Sequence, residues 1–532
     1  RVGRRGPACA AVGEPFEHDL AGEVIDRAGP SADDHPPVAQ VDVIKEEPAD
    51  RLWGGWRASR PGPGPAGLRG WRGGRAGGGG GVWLSGAVLC GAALPEGPPA
   101  TLAHITDAHI LDAASPARVT FLDRLGAPFQ STFRPQETLT AQVLAGAVRA
   151  VRALAPDAVI QGGDLIDNDQ ANELSHALGV LHGAMVAPGS GPAGYFGVQS
   201  AVNADPFYYR PDLDAPRHPG LLAAAVTPFR SPGVRGSCYP VLGDHDILVA
   251  GEIVPTSTTR ALALGDQALW ELPARLTVPP GAVRGAGSSP DGPPNPGLVD
   301  RFLRQALAGP RVRVPSDPAR REMDPGEVVG RLRAAGGLGP TVAGGPGGPR
   351  EARLDYTADV GSQVRLIVLD LARRKGGSGG LVAAGQPDWL AAALAAAGER
   401  WVIVVSHQPL SSSEGGPQLL ARLDRHPRVI AALAGHTHRN RIVARPSPGG
   451  GYWLINTAAL IDYPQQARAI RVLATAGGAV ALQTWMLDHV FPGRLGTISR
   501  QLAYLDAQGG RPQGFAGGRL DRNVTLYRAA AA

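Results

Sequence analysis

From Ala100 onward, short apolar runs alternate with stretches whose apolar residues recur at helical spacing, which is the pattern of an α/β domain. Thr101 to Thr106 reads as a strand, Glu137 to Leu154 as a helix, Asp157 to Gln161 as a second strand and Gln170 to Leu181 as a second helix. Together they predict a β-α-β unit. A strand at Cys238 to Leu242 and a helix near Ala261 to Leu272 follow. The second half predicts strands at Val364 to Leu369, Trp401 to Ser406 and Val429 to Ala434, with helices at Pro387 to Ala397 and Pro417 to Asp424 between them. Strands at Tyr452 to Thr457, Ala467 to Leu473 and Val480 to Met486 then come without intervening helices, so the sheet should finish in antiparallel pairs. Residues about 185–240 and 273–350 read as loop-rich insertions, the second broken by helices at Leu298 to Ala308 and Glu327 to Ala334.

Composition narrows the picture. With 532 residues and 43% hydrophobic, the chain can bury a sizeable core, which excludes wholesale disorder. Gly and Pro, 74 and 49 residues, demand long loops. The net charge of +5 is almost wholly arginine, because Lys occurs only at Lys45 and Lys375. The arginines lack the aromatic interleaving or motif of a nucleic-acid binder, and no nucleic-acid partner is expected. Cys9, Cys90 and Cys238 are too few and scattered for a disulfide framework. No apolar run reaches the roughly 18 residues of a membrane span. The run 82–94, downstream of Arg72 and Arg75, reads either as a signal-peptide core or as a chance apolar patch in a low-complexity leader. Residues 1–98 are therefore taken as leader or disordered N-terminus, 99–495 as the organised domain and 496–532 as a C-terminal extension.

Five polar clusters stand directly after predicted strands, where open α/β sheets gather ligands. They are Asp107-Ala108-His109, Gly163-Asp164, Gly243-Asp244-His245-Asp246, Ser406-His407 and Gly435-His436-Thr437-His438. Singly each is weak, and a strand-end polar group with ordinary hydrogen bonds is the bland alternative for any one. As a set they supply carboxylates and imidazoles, the donors suited to borderline divalent metals. Three of the clusters carry glycines that let the chain aim its neighbours.

In their order and spacing these clusters resemble the calcineurin-like metallophosphoesterase superfamily, whose pattern is D-x-H, G-D, G-N-H-D/E, H and G-H-x-H. The resemblance implies a four-layer sandwich of two mixed β-sheets flanked by helices, with two divalent metal ions (Mn, Fe, Zn, Co or Ni) at the strand ends. Carried over, Asp107, His109 and His438 would bind one ion, Asp244, His407 and His436 the other, and Asp164 would bridge them. It further implies hydrolysis of phosphate esters by a bridging hydroxide, His245 serving as general acid and Asp246 holding it in place. The substrate would be a small phosphorylated molecule. A phosphodiesterase, including one for cyclic nucleotides, is the alternative within the class.

Two positions depart from the superfamily. Asp244 stands where relatives have Asn, which brings the formal balance to about +4 from the metals against −3 from three carboxylates. Weakened phosphate attraction should follow, and a metal-binding protein with little catalysis is the alternative from another class. Asp167, three residues after Asp164, replaces the tyrosine of purple acid phosphatases. A narrower likeness, to a group of actinobacterial and often exported metallophosphoesterases, covers Asp107 to Arg118, Arg134 to Leu139, Asp167 to Leu174 and Asp462 to Arg468. It implies export to the cell envelope or medium, with the cytoplasm as alternative. Within these stretches Asn168 and Arg118 are placed as substrate residues, against a helix-cap role for the first and a surface role for the second. Nothing in the sequence bears on oligomeric state.

Overall fold

The computed structural model describes residues 80–83, 100–125, 132–271, 301, 303–338, 352–474, 479–509 and 515–528. By internal packing the chain divides into residues 1–55 and 56–532, and the described residues all belong to the second unit.

Strands numbered in chain order build two mixed sheets. The first runs β1 (Gly80–Trp83), β17 (Val524–Arg528), β16 (Val480–Asp488), β15 (Gln466–Ala474), β2 (Ala100–Ile105), β3 (Ala158–Gln161) and β6 (Ser237–Pro240). Strands β2, β3 and β6 at one end of it are parallel, while β15, β16 and β17 are joined antiparallel. The second sheet runs β13 (Arg441–Arg445), β14 (Tyr452–Asn456), β12 (Val429–Ala434), β11 (Trp401–Ser406), β10 (Val364–Leu369) and β9 (Tyr356–Val360). Only its two edge strands pair antiparallel. Two short ribbons, β4 (Met185–Val186) with β5 (Phe229–Arg230) and β7 (Gln267–Ala268) with β8 (Val312–Arg313), lie in the loop-rich segments.

The period of two along each strand sorts side chains into layers. Leu366, Val368, Ile403, Val405, Ile430 and Leu433 join Leu102, Ile105, Val159 and Ile160 in one buried cluster, so the sheets face one another. The alternate residues Ile367, Leu369, Val402 and Val404 turn to the opposite side and pack on Leu390, Leu394, Leu419 and Leu423 of helices Gln386–Ala395 and Gly416–Leu423. Helices Thr140–Leu154 and Ala171–His182 cover the first sheet, giving the expected four layers. Strands buried on both faces read as unbroken apolar runs, which is why the pattern found them.

Several expectations need correction. The helix near Ala261 to Leu272 spans Ser257–Leu264, because Thr256 and Thr259 close a capping box at its start and Gly265 ends it. Residues 496–509 and 515–528 are no appendage: helix Arg494–Gly509 buries Ile498 and Leu502, and β17 pairs with β16 inside the first sheet. Of the signal-like run, only Val82 and Trp83 lie among the described residues, in β1 beside β17. The rest of it falls outside them, as does part of the helix expected at Leu298 to Ala308. Among the described residues no helix is long and apolar enough to cross a membrane.

Candidate metal centre

The loops leaving β2, β3, β6, β11 and β12 converge at the carboxyl edges of both sheets. Backbone bonds lock them together: Asp107 N–H donates to Gly163 O at 3.1 Å, His109 N–H to Asp164 O at 3.0 Å and Gly435 N–H to His407 O at 2.9 Å. Close approach requires glycine at two points. A Cβ on Gly163, which has φ +95°, would stand 2.4 Å from the His407 ring, and one on Gly243 would stand 2.1 Å from Asp164 Oδ1. Asp107, His109, Asp164, His436 and His438 themselves adopt left-handed backbone, with φ between 45° and 63°. That conformation turns each side chain inward at a cost of about 1 kcal/mol or more.

The seven proposed ligands meet. Asp107, His109 and His438 form one group, and Asp164, Asp244, His407 and His436 another, with ligand atoms within each group no more than 4.8 Å apart. His438 Nε2 is 3.3 Å from Asp107 Oδ1, and His109 Nε2 is 3.3 Å from His438 Nε2. In the second group His407 Nε2 and His436 Nδ1 each stand 3.3 Å from Asp244 Oδ1. Donors bound at about 2.0–2.2 Å around one ion are separated by roughly 3.0–3.5 Å, so the spacing fits a metal at each group. His407 Nε2 adds a direct sign: it is buried 2.9 Å from Asp164 Oδ2, yet makes no hydrogen bond. Asp164 Oδ2 is also 3.8 Å from His109 Nε2, which puts its carboxylate between the groups.

Electrostatics agree with a site built for cations. Burial alone would raise Asp107 and Asp244, but His438 and His407 around the first, and His436 and His407 around the second, hold both below the usual carboxylate range. Burial likewise opposes the imidazolium of His438, and Asp107 and Asp462 overcome it, pushing its pKa to about 9. Two acid side chains kept ionised in a dry pocket require positive partners.

His245 lies beside the ligands, 8% exposed, its ring edge-on to His109 at 4.4 Å. Its Nδ1 lies 2.7 Å from the backbone carbonyl of Asp167, which makes Nδ1 the donor and leaves Nε2 facing the carboxylates, 4.0 Å from Asp244 Oδ2. Asp164, Asp244 and Asp167 outweigh burial and raise its pKa above the ordinary value. Asp246 does not hold it. Its two oxygens accept the N–H groups of Leu165, Ile166 and Gly243, so it buckles the ligand loops instead, and burial with Asp164 nearby pushes its pKa up to about 7.

The proposed substrate residues are already engaged. Arg118 is buried, bound through both terminal nitrogens to Glu137 and through one to Thr132 O. Asn168 is buried, and its Oδ1 accepts from Ala250 N–H. Neither is placed as an open phosphate clamp, and Asn168 is no cap of helix Ala171–His182, whose preceding residue is Gln170. Three supports were not foreseen. Asp167 Oδ1 lies 3.1 Å from His109 Nδ1, Asp462 Oδ2 lies 2.5 Å from His438 Nδ1, and Gln408 Nε2 donates to Asp244 Oδ1 at 2.9 Å. Gln408 had a signal, as the residue next to His407.

Residues 345–440, which include His407, His436 and His438, match the family described as calcineurin-like phosphoesterase. No curated protein sequence matches the chain. Similar solved structures include a dimetal phosphatase from Danio rerio, 14% identical, covering 74% of this chain and 100% of its own, with a TM-score of 0.37. A purple acid phosphatase from yellow lupin (Lupinus luteus) seeds is 12% identical, covering 74% and 52%, with a TM-score of 0.30. A structure of PhoD is 11% identical, covering 78% of each chain, with a TM-score of 0.28.

Proposed function

We propose that this chain, which carries a calcineurin-like phosphoesterase region, hydrolyses the phosphate ester of a small substrate at two divalent metal ions. One ion would be held by Asp107, His109 and His438, the other by Asp244, His407 and His436, with Asp164 between them. The observation that carries the reading is the meeting of these side chains from five separate loops, at donor spacings that suit a cation. When bound, such a pair lowers the pKa of water and neutralises charge on the phosphoryl oxygens.

The chain's own residues do the rest. Asp167 O fixes the His245 ring by accepting its Nδ1 proton, and the surrounding carboxylates favour a proton on Nε2. That atom lies on the side of the metal ligands, 4.0 Å from Asp244 Oδ2, and would give its proton to the departing oxygen. Asp167 and Asp462 hold the Nδ1 atoms of His109 and His438 and thereby aim both Nε2 atoms inward. Asp246, by gathering three backbone N–H groups, keeps the Asp164 and Asp244 loops in register.

The test is metal analysis of the purified chain together with a chromogenic panel of phosphate monoesters and diesters, repeated with His245→Ala. We expect two ions per chain, hydrolysis of at least one ester class, and a loss of about 10²- to 10⁴-fold in kcat with both ions retained in the variant. Full activity in His245→Ala would remove the acid role, and a wild-type chain that binds no metal would sink the whole reading.

A further inference from the structure

Two sequence stretches outside the ligand set, Arg134 to Leu139 and Asp462 to Arg468, face each other in the fold. Gln136 Nε2 donates to Ile461 O at 3.1 Å, and the Arg134 Nε–H donates to Asp462 Oδ1 at 2.7 Å. Arg134 and Asp462 are each 2% exposed, and they lie 328 positions apart. The other oxygen of Asp462 faces His438 Nδ1 at 2.5 Å. From the far side of the same ring, Nε2 meets Asp107 Oδ1 at 3.3 Å.

We propose that Arg134 and Asp462 form a relay that sets the orientation and tautomer of His438, and so tune how tightly the Asp107–His109–His438 half of the centre holds its metal. This rests on the metal-dependent reading above. Asp462 accepts the proton of Nδ1, which leaves the lone pair of Nε2 free to point at the ion. Arg134 fixes the plane of the Asp462 carboxylate through its Nε–H and stands beside it as a buried counter-charge. Both are positioning residues: neither reaches the reacting atoms. Carboxylate partners of metal-bound imidazoles change metal affinity by about 10- to 100-fold in other proteins.

The chain has two similar half-sites, and among the described residues the relay is seen in one of them. In the other half, His407 Nδ1 lies 2.9 Å from the carbonyl of Gly162, a neutral acceptor. The relay variants should therefore affect the two ions unequally, which a general loss of folding would not do.

The experiment is chelator competition on the full-length metal-loaded chain, measuring the affinity of each ion for wild type, Asp462→Asn, Arg134→Gln and the conservative Asp462→Glu, with thermal melting as a control. We expect one ion of Asp462→Asn to be weakened by about 10- to 100-fold while the other keeps its affinity, Arg134→Gln to shift the same ion in the same direction, and Asp462→Glu to restore part of the loss. Unchanged affinity for both ions in a folded Asp462→Asn overturns the relay. If the substitutions prevent folding, 15N-histidine NMR of the zinc-loaded wild-type chain, with the signal assigned by its loss in His438→Gln, decides the matter. A protonated Nδ1 with an unprotonated Nε2 supports the relay, and the reverse tautomer refutes it. A wild-type chain that binds no metal would instead remove the functional reading on which the relay rests.

Discussion

At the scale of single residues, Asp244 is the position with the most chemical consequence. Its Oδ1 is the atom approached by His407, His436 and Gln408, whereas Oδ2 lies toward His245. Asparagine would keep a ligating oxygen and the Gln408 hydrogen bond while replacing one negative oxygen with an N–H donor on the side of His245. We expect Asp244→Asn to retain both ions and to bind inorganic phosphate more tightly, on the order of tenfold, because one negative charge leaves a partly desolvated site. Inhibition by phosphate measures this; a variant that keeps its metals but loses all hydrolysis would mean the carboxylate is needed. The ligands themselves were legible from the sequence because each is a metal-binding residue type placed directly after a strand. Arg134 and Asp462 were not, since their meaning arises only when stretches on opposite sides of the chain touch, and Asp246 was misread because spacing shows nothing of which backbone N–H groups a carboxylate will find.

Among elements, the central strands announced themselves by apolar runs, and the edge strands β1, β9 and β13 did not. β13 has the sequence Arg-Ile-Val-Ala-Arg and is partly exposed along its length, and β9 buries only its first and last residues. β17 is short and remote, and it is held in place partly by buried Arg468, whose guanidinium donates to the carbonyls of Asp521 and Arg522. No local pattern encodes such a clamp. The missed β9 edge is tied to its neighbours by a buried acid: Asp355 Oδ1 accepts from Asp370 N–H at 3.0 Å and from Gln386 Nε2 at 2.7 Å. Burial, with Asp370 adding to it, pushes the Asp355 pKa up to about 7 from an ordinary value of 3.8. A folded-state pKa raised in this way gives a stabilising contribution that is complete below about pH 4 and lost as the pH rises through about 7. Asp355→Asn removes that dependence. Wild type should therefore lose more stability than the variant between pH 5 and pH 8, by up to about 1.4 kcal/mol per pH unit within the window, as read from urea midpoints. Parallel midpoints at both pH values would exclude the assignment.

For the molecule as a whole, the two sheets bury one another's apolar faces and leave their carboxyl edges to meet along a single seam. That seam is where five non-glycine residues accept left-handed backbone. Summed at about 1 kcal/mol each or more, the distortion is comparable with a sizeable share of the 5–15 kcal/mol by which domains are ordinarily stable. Glycine would relieve it at any of these places and would simultaneously delete a ligand. Paired variants make the point measurable: His436→Gly should melt above His436→Ala, by about 1–2 kcal/mol of backbone relief, although both lack the imidazole. Natural selection is thus the only force keeping side chains at those turns. In a lineage that no longer needed the chemistry, thermodynamics would favour the very substitutions that erase it, and descendants would drift toward sturdier, inert proteins of the same shape.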